Sequence, residues 1–428
     1  MKHSVREIQL KNGARGLLID VPYASVMNFD INFRAGDYLS PPDKIDTSHL
    51  MEHMVLGANE RFKKSTEFSK NFCQNGAYNN ASTSTYHMSY VAECADFEAE
   101  RILDLLCLSV EAPLFLPGEF RAEKSNIKEE LRGLSNSHFN RISMAVGEAM
   151  GQLDVSYTKR AEQLENITLK DIKDLYHRTH TTGNMRFIIA GKIASREDYI
   201  INRLEKIALI KSKNRIELPD EKLRIVDYPI KRSNKSVKNI YYRLDRSFGN
   251  LLSQKQDDAS SALLATTLGT LHSRIYGKAR EKGLVYSIRY GKYRTRGEHL
   301  WWLGGQVLPA NIEKLFKLIT NEFKAIASGR FSEAELKQTK QFALGNFQKG
   351  YQTVGQIVDG YYEKYVYDDE VEDYLKIPAR INVLRRRDIV DAAVNILEAK
   401  NPWALGFYGA ISKINANNLY DTVKETLV

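Results

Sequence analysis

His49-Leu50-Met51-Glu52-His53 sets two imidazoles four residues apart, with a carboxylate next to the second. On an α-helix, side chains at that spacing share one face, with Cβ atoms about 5–6 Å apart. Both rings can then reach a single ion, as two ligands of tetrahedral zinc do. Glu52, three residues after His49, reaches the rim of the same site. A carboxylate there can take the proton from a zinc-bound water, whose pKa the ion lowers towards ~7. The order His-x-x-Glu-His is the inverted form of the zincin motif. Leu50, Met51, Met54 and Val55 predict a mostly buried helix over residues 48–56, with Asp46, Thr47 or Ser48 as its N-cap. Two unpaired imidazoles are costly in such a place, and a metal removes that cost.

A catalytic zinc needs a third protein ligand and an open position. The acidic segment from Glu119 to Leu131 offers candidates. Glu123 and Glu130 stand seven residues apart, two turns along one helix face, so that one can bind the metal while the other supports a ligand. Spacing alone leaves the two equivalent. Glu129 points elsewhere.

Outward from the motif, alternation predicts strands at 5–10, 17–20 and 26–33, and another around 84–92. Helical periodicity covers 96–110, 117–134 and 169–177, and 185–190 reads as a buried strand. Residues 211–229 lose periodicity and are rich in charge. The order of signals then returns, with strands at 239–244, 284–290, 300–307 and 404–408 and helices at 259–271, 311–327 and 333–348. Asp171 lies 20 residues before Gly191 and Asp388 lies 21 before Gly409, an offset of 217 to 218 residues between the copies. This predicts a duplicated α+β domain, each copy a mixed or antiparallel sheet packed with helices. The expected division is a zinc-binding domain at 1–212, a linker at 213–230 and a second domain at 231–428 that lacks the zinc motif.

A chain of 428 residues exceeds what one core serves, and 43% apolar with 27% charged residues is a soluble globular profile. No apolar run approaches the ~20 residues of a membrane span, and no signal-like segment follows Met1, so a cytoplasmic protein without a membrane partner is expected. Cys73, Cys94 and Cys107 form no disulfide pattern and are expected to be reduced and half-buried. The net charge of +9 is scattered. Its one dense run, Arg385–Arg387, is followed by Asp388 and reads as a solvated helix face, which argues against a nucleic-acid partner.

The motif and its surroundings resemble the pitrilysin (M16) family of inverted-zincin peptidases, in the short two-domain form of mitochondrial processing peptidase subunits. That family's third ligand is a glutamate well downstream of the second histidine, with another glutamate two turns earlier. Glu130 follows His53 by 77 residues and Glu123 stands seven before it. The resemblance therefore implies Glu130 as the ligand, Glu123 as the carboxylate orienting the site, and one Zn2+ per chain. Phe33-Arg34-Ala35-Gly36-Asp37 is similar to the family's glycine turn. In Gly76-Ala77-Tyr78-Asn79-Asn80-Ala81-Ser82-Thr83, Asn80 and Ala81 would lie on an edge strand that pairs with substrate backbone. Residues 176–185 match the family's closing pattern, with His177 and His180 structural.

In the second half, the segment from Ser273 to Ser287 resembles the family's Arg…Tyr element. Arg280 would hold substrate backbone and Tyr286 would stabilise the tetrahedral oxyanion. Family members enclose a chamber in a four-domain clamshell, of which two domains form half. The resemblance thus implies a homodimer, or a heterodimer with an M16-like partner, with Arg280 and Tyr286 acting in trans on unstructured peptides. A non-catalytic scaffold and a maturation protease dedicated to one partner peptide are the alternatives.

Overall fold

The computed structural model describes residues 2–427. The first half runs β1 (Ser4–Gln9), β2 (Arg15–Asp20), β3 (Val26–Phe33), α1 (Thr47–Val55), α2 (Ser65–Cys73), β4 (Tyr78–Thr83) and β5 (Met88–Ala95). It continues through α3 (Ala99–Glu111), α4 (Pro117–Ser135), α5 (His138–Met150), α6 (Tyr157–Gln163), α7 (Leu169–Thr179), β6 (Met185–Gly191) and α8 (Glu197–Glu205). The second half runs β7 (Ile230–Ser233), β8 (Ile240–Ser247), α9 (Gln254–Leu268), α10 (Tyr276–Glu281), β9 (Ile288–Arg294) and β10 (His299–Val307). Helices α11 (Ile312–Ala327), α12 (Glu333–Gly350), α13 (Val354–Asp368), α14 (Ile377–Val383) and α15 (Arg386–Leu397) follow, then β11 (Trp403–Gly409) and α16 (Ala416–Lys424).

The fold is α+β and duplicated. One sheet has the order β1-β2-β6-β3-β5-β4 and the other β7-β11-β8-β10-β9. In each, a single parallel pair (β2 with β6, β7 with β11) sits beside otherwise antiparallel strands. The copies share a smaller device as well. Asp171, in the first turn of α7, accepts from the Thr168 backbone N–H and pairs with Lys44 at 2.9 Å. Asp388, in the first turn of α15, accepts from the Arg385 N–H and pairs with Lys255 at 2.8 Å.

The two units depart from the expected boundaries at 212 and 231. The first comprises Met1–Arg132, Thr158–Leu218 and Gln348–Tyr374, and the second Gly133–Tyr157, Pro219–Phe347 and Leu375–Val428. Each half of the sequence thus lends one helix to the other unit: α13 belongs to the first and α5 to the second.

In the first unit, Met27, Phe29, Ile31 and Phe33 are fully buried on one face of β3. Its other face carries Asn28, Asp30 and Asn32, and α13 covers it: the Tyr362 hydroxyl donates to Asn32 Oδ1 at 3.0 Å. Cations close the C-terminus of α13, where they complement the helix dipole. Arg215 donates to Val366 O at 2.5 Å and to Asp369 at 2.9 Å, Arg34 donates to Tyr367 O at 3.2 Å, and Arg186 pairs with Asp369 at 2.5 Å.

In the second unit, Ile142, Val146 and Met150 of α5 are fully buried with Ala404 and Tyr408 of β11. A Cβ on Gly406 would stand 2.6 Å from Val146 Cγ2 and 2.7 Å from Ile142 Cδ1, so only glycine lets α5 rest on this strand.

Three expectations are corrected. The strand expected at 84–92 straddles a hairpin: Ser84 N–H bonds to His87 O at 2.8 Å between β4 and β5. The strand expected at 284–290 begins only at Ile288. Leu284 instead closes α10, its N–H on Ala279 O, with Gly283 at φ +64 donating to Arg280 O. That is a Schellman closure, in which the apolar residue after the glycine packs back on the helix end. The cysteines are not half-buried: Cys94 and Cys107 are buried and Cys73 is exposed, all three without disulfides. Burial pushes the Cys94 and Cys107 thiols up to about 12. Among the described residues, no helix is long and apolar enough to cross a membrane.

Candidate metal centre

Helix α1 turns Leu50, Met51, Met54 and Val55 into the core and leaves His49, Glu52 and His53 on the remaining face. The two imidazole centroids are 5.0 Å apart and the rings stand nearly perpendicular, at 79°. Helix α4 supplies the acids and is anchored by buried Ile127 and Leu131. Glu119 pins its first turn by accepting from the Ala58 and Ser65 N–H groups, each at 3.1 Å.

Glu130 Oε2 lies 3.6 Å from His49 Nε2, and one ligand atom each from His49, His53 and Glu130 falls within 4.8 Å of the others. Glu123 Oε2 lies 2.9 Å from His53 Nδ1, and Asp46 Oδ1 lies 3.3 Å from His49 Nδ1. Each histidine therefore meets a carboxylate at Nδ1, which leaves Nε2 as the nitrogen to present to an ion. Of the two glutamates that spacing left equivalent, Glu130 joins the cluster and Glu123 stands behind His53. Glu129 pairs with Arg132, away from both.

Glu52 is 8% exposed, and the Thr83 hydroxyl donates to its Oε2 at 2.5 Å. Burial raises the Glu52 pKa, while Thr83 and the two histidines pull against it. For His49, burial opposes the charged form, but the Asp46 hydrogen bond and the charges of Glu52 and Glu130 prevail and raise its pKa. The His53 hydrogen bond lowers the Glu123 carboxyl. Two imidazoles with oriented nitrogens and an adjacent carboxylate are a His2Glu donor set, the chemistry of a catalytic zinc site, and the residues fit that ion.

Asn80 and Ala81 lie on β4, the outer strand of its sheet, facing Val91 and Tyr90 of β5 on its inner side. Thr83, which holds Glu52, is the last residue of that strand. Arg280 and Tyr286 belong to the second unit, where the guanidinium stands 4.7 Å over the tyrosine ring and Tyr286 is 76% exposed. The Tyr276 hydroxyl donates to Tyr286 O at 3.3 Å. His180 is structural: it is stacked on Phe33 and Tyr176, and burial drops its pKa to about 3.

Sequence reasoning missed the contacts of Asp46, Arg160 and Thr83. Asp46 entered only as a possible cap, although it stands one turn before His49 on the same face. Arg160, 114 residues further on, binds the Asp46 carboxylate with Nε at 3.0 Å and Nη2 at 2.6 Å, and carries no signal in its own stretch.

A family model described as Insulinase (Peptidase family M16) matches residues 17–159, and one described as Peptidase M16 inactive domain matches residues 166–342. The chain is 28% identical to insulin-degrading enzyme of Homo sapiens over 114 residues, which are 27% of this chain and 11% of that enzyme. It is 21% identical over 214 residues to an uncharacterized zinc protease of Rickettsia felis, covering 48% of this chain and 50% of the relative. It spans no more than half the length of either. A protease from Helicobacter pylori has the same fold, with a TM-score of 0.83 at 17% identity over 95% of this chain and 100% of that one. Two M16 models, which together match about three quarters of the residues, show that this chain belongs to the M16 family of peptidases.

Proposed function

We propose that the chain is a zinc-dependent endopeptidase in which His49, His53 and Glu130 hold the ion and Glu52 is the general base. The observation carrying this reading is the convergence of those three ligand atoms within 4.8 Å. Bound zinc would supply Lewis acidity towards a water and a peptide carbonyl. Glu52 takes the proton of the attacking water and returns it to the leaving amine nitrogen. Its burial favours the neutral, proton-carrying form, and the Thr83 hydroxyl on Oε2 leaves Oε1 for the transfer. Glu123 and Asp46 hold the imidazoles in the required tautomer. Extended substrate adds to the free side of β4 at Asn80 and Ala81, main chain to main chain. Two copies of the chain form a chamber that admits unstructured peptides, and Arg280 and Tyr286 of one copy serve the zinc of the other.

The test is zinc content together with cleavage of a panel of quenched unstructured peptides. Glu52→Gln is expected to retain zinc and to lose about 10²–10⁴-fold in kcat. Zinc bound by a wild-type chain that cleaves none of the panel would overturn the reading in favour of a scaffold or of a protease dedicated to one partner.

A further inference from the structure

Asp46 occupies the N-cap position of α1, yet its side chain makes no capping hydrogen bond. An aspartate there ordinarily accepts from the N–H of the second or third helical residue. The N–H of Ser48 is instead taken by Ser40 Oγ at 3.1 Å. The Asp46 carboxylate is thereby released from the helix end and turned sideways. It is fully buried and gripped by both arms of the Arg160 fork, while Oδ1 also faces His49 Nδ1 at 3.3 Å.

A buried carboxylate is costly unless paired and hydrogen-bonded, and a bidentate guanidinium fixes both its position and its plane. Arg160 is itself largely buried and lies two residues past Thr158, where the chain re-enters the first unit. The two histidines are therefore held differently. The carboxylate behind His53 is Glu123, partly exposed and, among the described residues, assisted by Asn126 at 3.2 Å. The one behind His49 is sealed and clamped.

We propose that Asp46 and Arg160 are a positioning pair: Arg160 locks the Asp46 carboxylate, and Asp46 fixes His49 with Nε2 presented for the metal. This rests on the zinc-site reading and adds that the first histidine is set by a buried Arg–Asp–His relay. Both act through His49, and the Asp46 side chain is sealed from solvent.

Zinc affinity of the apo chain, measured by competition with a chromophoric chelator, tests the relay without recourse to activity. Asp46→Asn and Arg160→Met should each weaken zinc binding about 10- to 100-fold. Arg160→Met strands a buried carboxylate and should also lower the melting temperature of the apo chain. The double variant Asp46→Asn/Arg160→Met carries neither charge. It should recover part of the melting temperature, since Arg160 also faces the buried Asp37, without recovering zinc affinity, which a purely structural ion pair would restore. Wild-type affinity in Asp46→Asn or in the double variant overturns the proposal. Wild-type protein that binds no zinc overturns the zinc-site reading itself, and the relay falls with it.

Discussion

Thr83 makes the shortest polar contact to Glu52, donating its hydroxyl to Oε2 at 2.5 Å. A carboxylate that must accept a proton from one direction gains from having its other oxygen occupied, since this fixes the plane of the group. Thr83→Val keeps the shape and deletes the donor, and should lower kcat by about 10-fold or more with KM little changed. Thr83→Ser should retain most of the activity. An equal loss in both variants would mean that the methyl packing matters and the hydrogen bond does not. At this scale the pentapeptide was legible because helical spacing alone brings His49 and His53 to one face. The partners of those residues were not, because Arg160 and Thr83 reach the site through the fold.

Strands with clear alternation, such as β3, were readable in the sequence, and so was the repeat of the Asp171 and Asp388 helices. Alternation in β3 also implies a polar face open to water, and that inference fails. Helix α13 covers the face, and burial, with Asp359 nearby, pushes the Asp30 carboxyl up to about 7 despite hydrogen bonds from Ser89 and Asn32. The native state therefore holds a proton that the unfolded chain releases near pH 3.8. Asp30 contributes stability that is complete below that pH and lost as pH rises through about 7. Its slope is at most ~1.4 kcal/mol per pH unit. His180, at about 3, acts in the opposite sense, losing stability as pH falls from 6.5 towards 3. Comparing wild type with Asp30→Asn isolates the first effect. Urea midpoints measured from pH 5 to 8 should fall less steeply in the variant, and parallel curves would show that Asp30 ionises freely under α13.

For the whole chain, duplication was legible and the exchange of helices was not. Val354, Ile357, Val358, Tyr361 and Tyr365 are spaced as one buried helical stripe, so α13 had a signal. Its destination had none: a stripe of that kind fits any apolar or half-polar sheet face. The Arg34, Arg186 and Arg215 contacts at its C-terminus select the first sheet. The proposed two-chain chamber belongs to this scale as well. Mixing Glu52→Gln chains with Tyr286→Phe chains should restore peptide cleavage that each lacks alone, because one of the two sites in a mixed dimer is intact. Failure to recover activity, with each variant still binding zinc and inactive alone, would overturn the action of Arg280 and Tyr286 in trans.

The sequence by itself determined the local chemistry: two histidines and a glutamate on one buried helix, a pair of glutamates two turns apart, and a duplicated α+β pattern. These follow from helix and strand periods, which act over a few residues. Tertiary structure brought Glu130 beside the two histidines with Glu123 behind His53, sent α5 and α13 to the opposite units, and set Arg160 and Thr83 against the site. Those outcomes depend on which surfaces meet when the core closes, and burial then gives each contact a strength that spacing along the chain cannot encode.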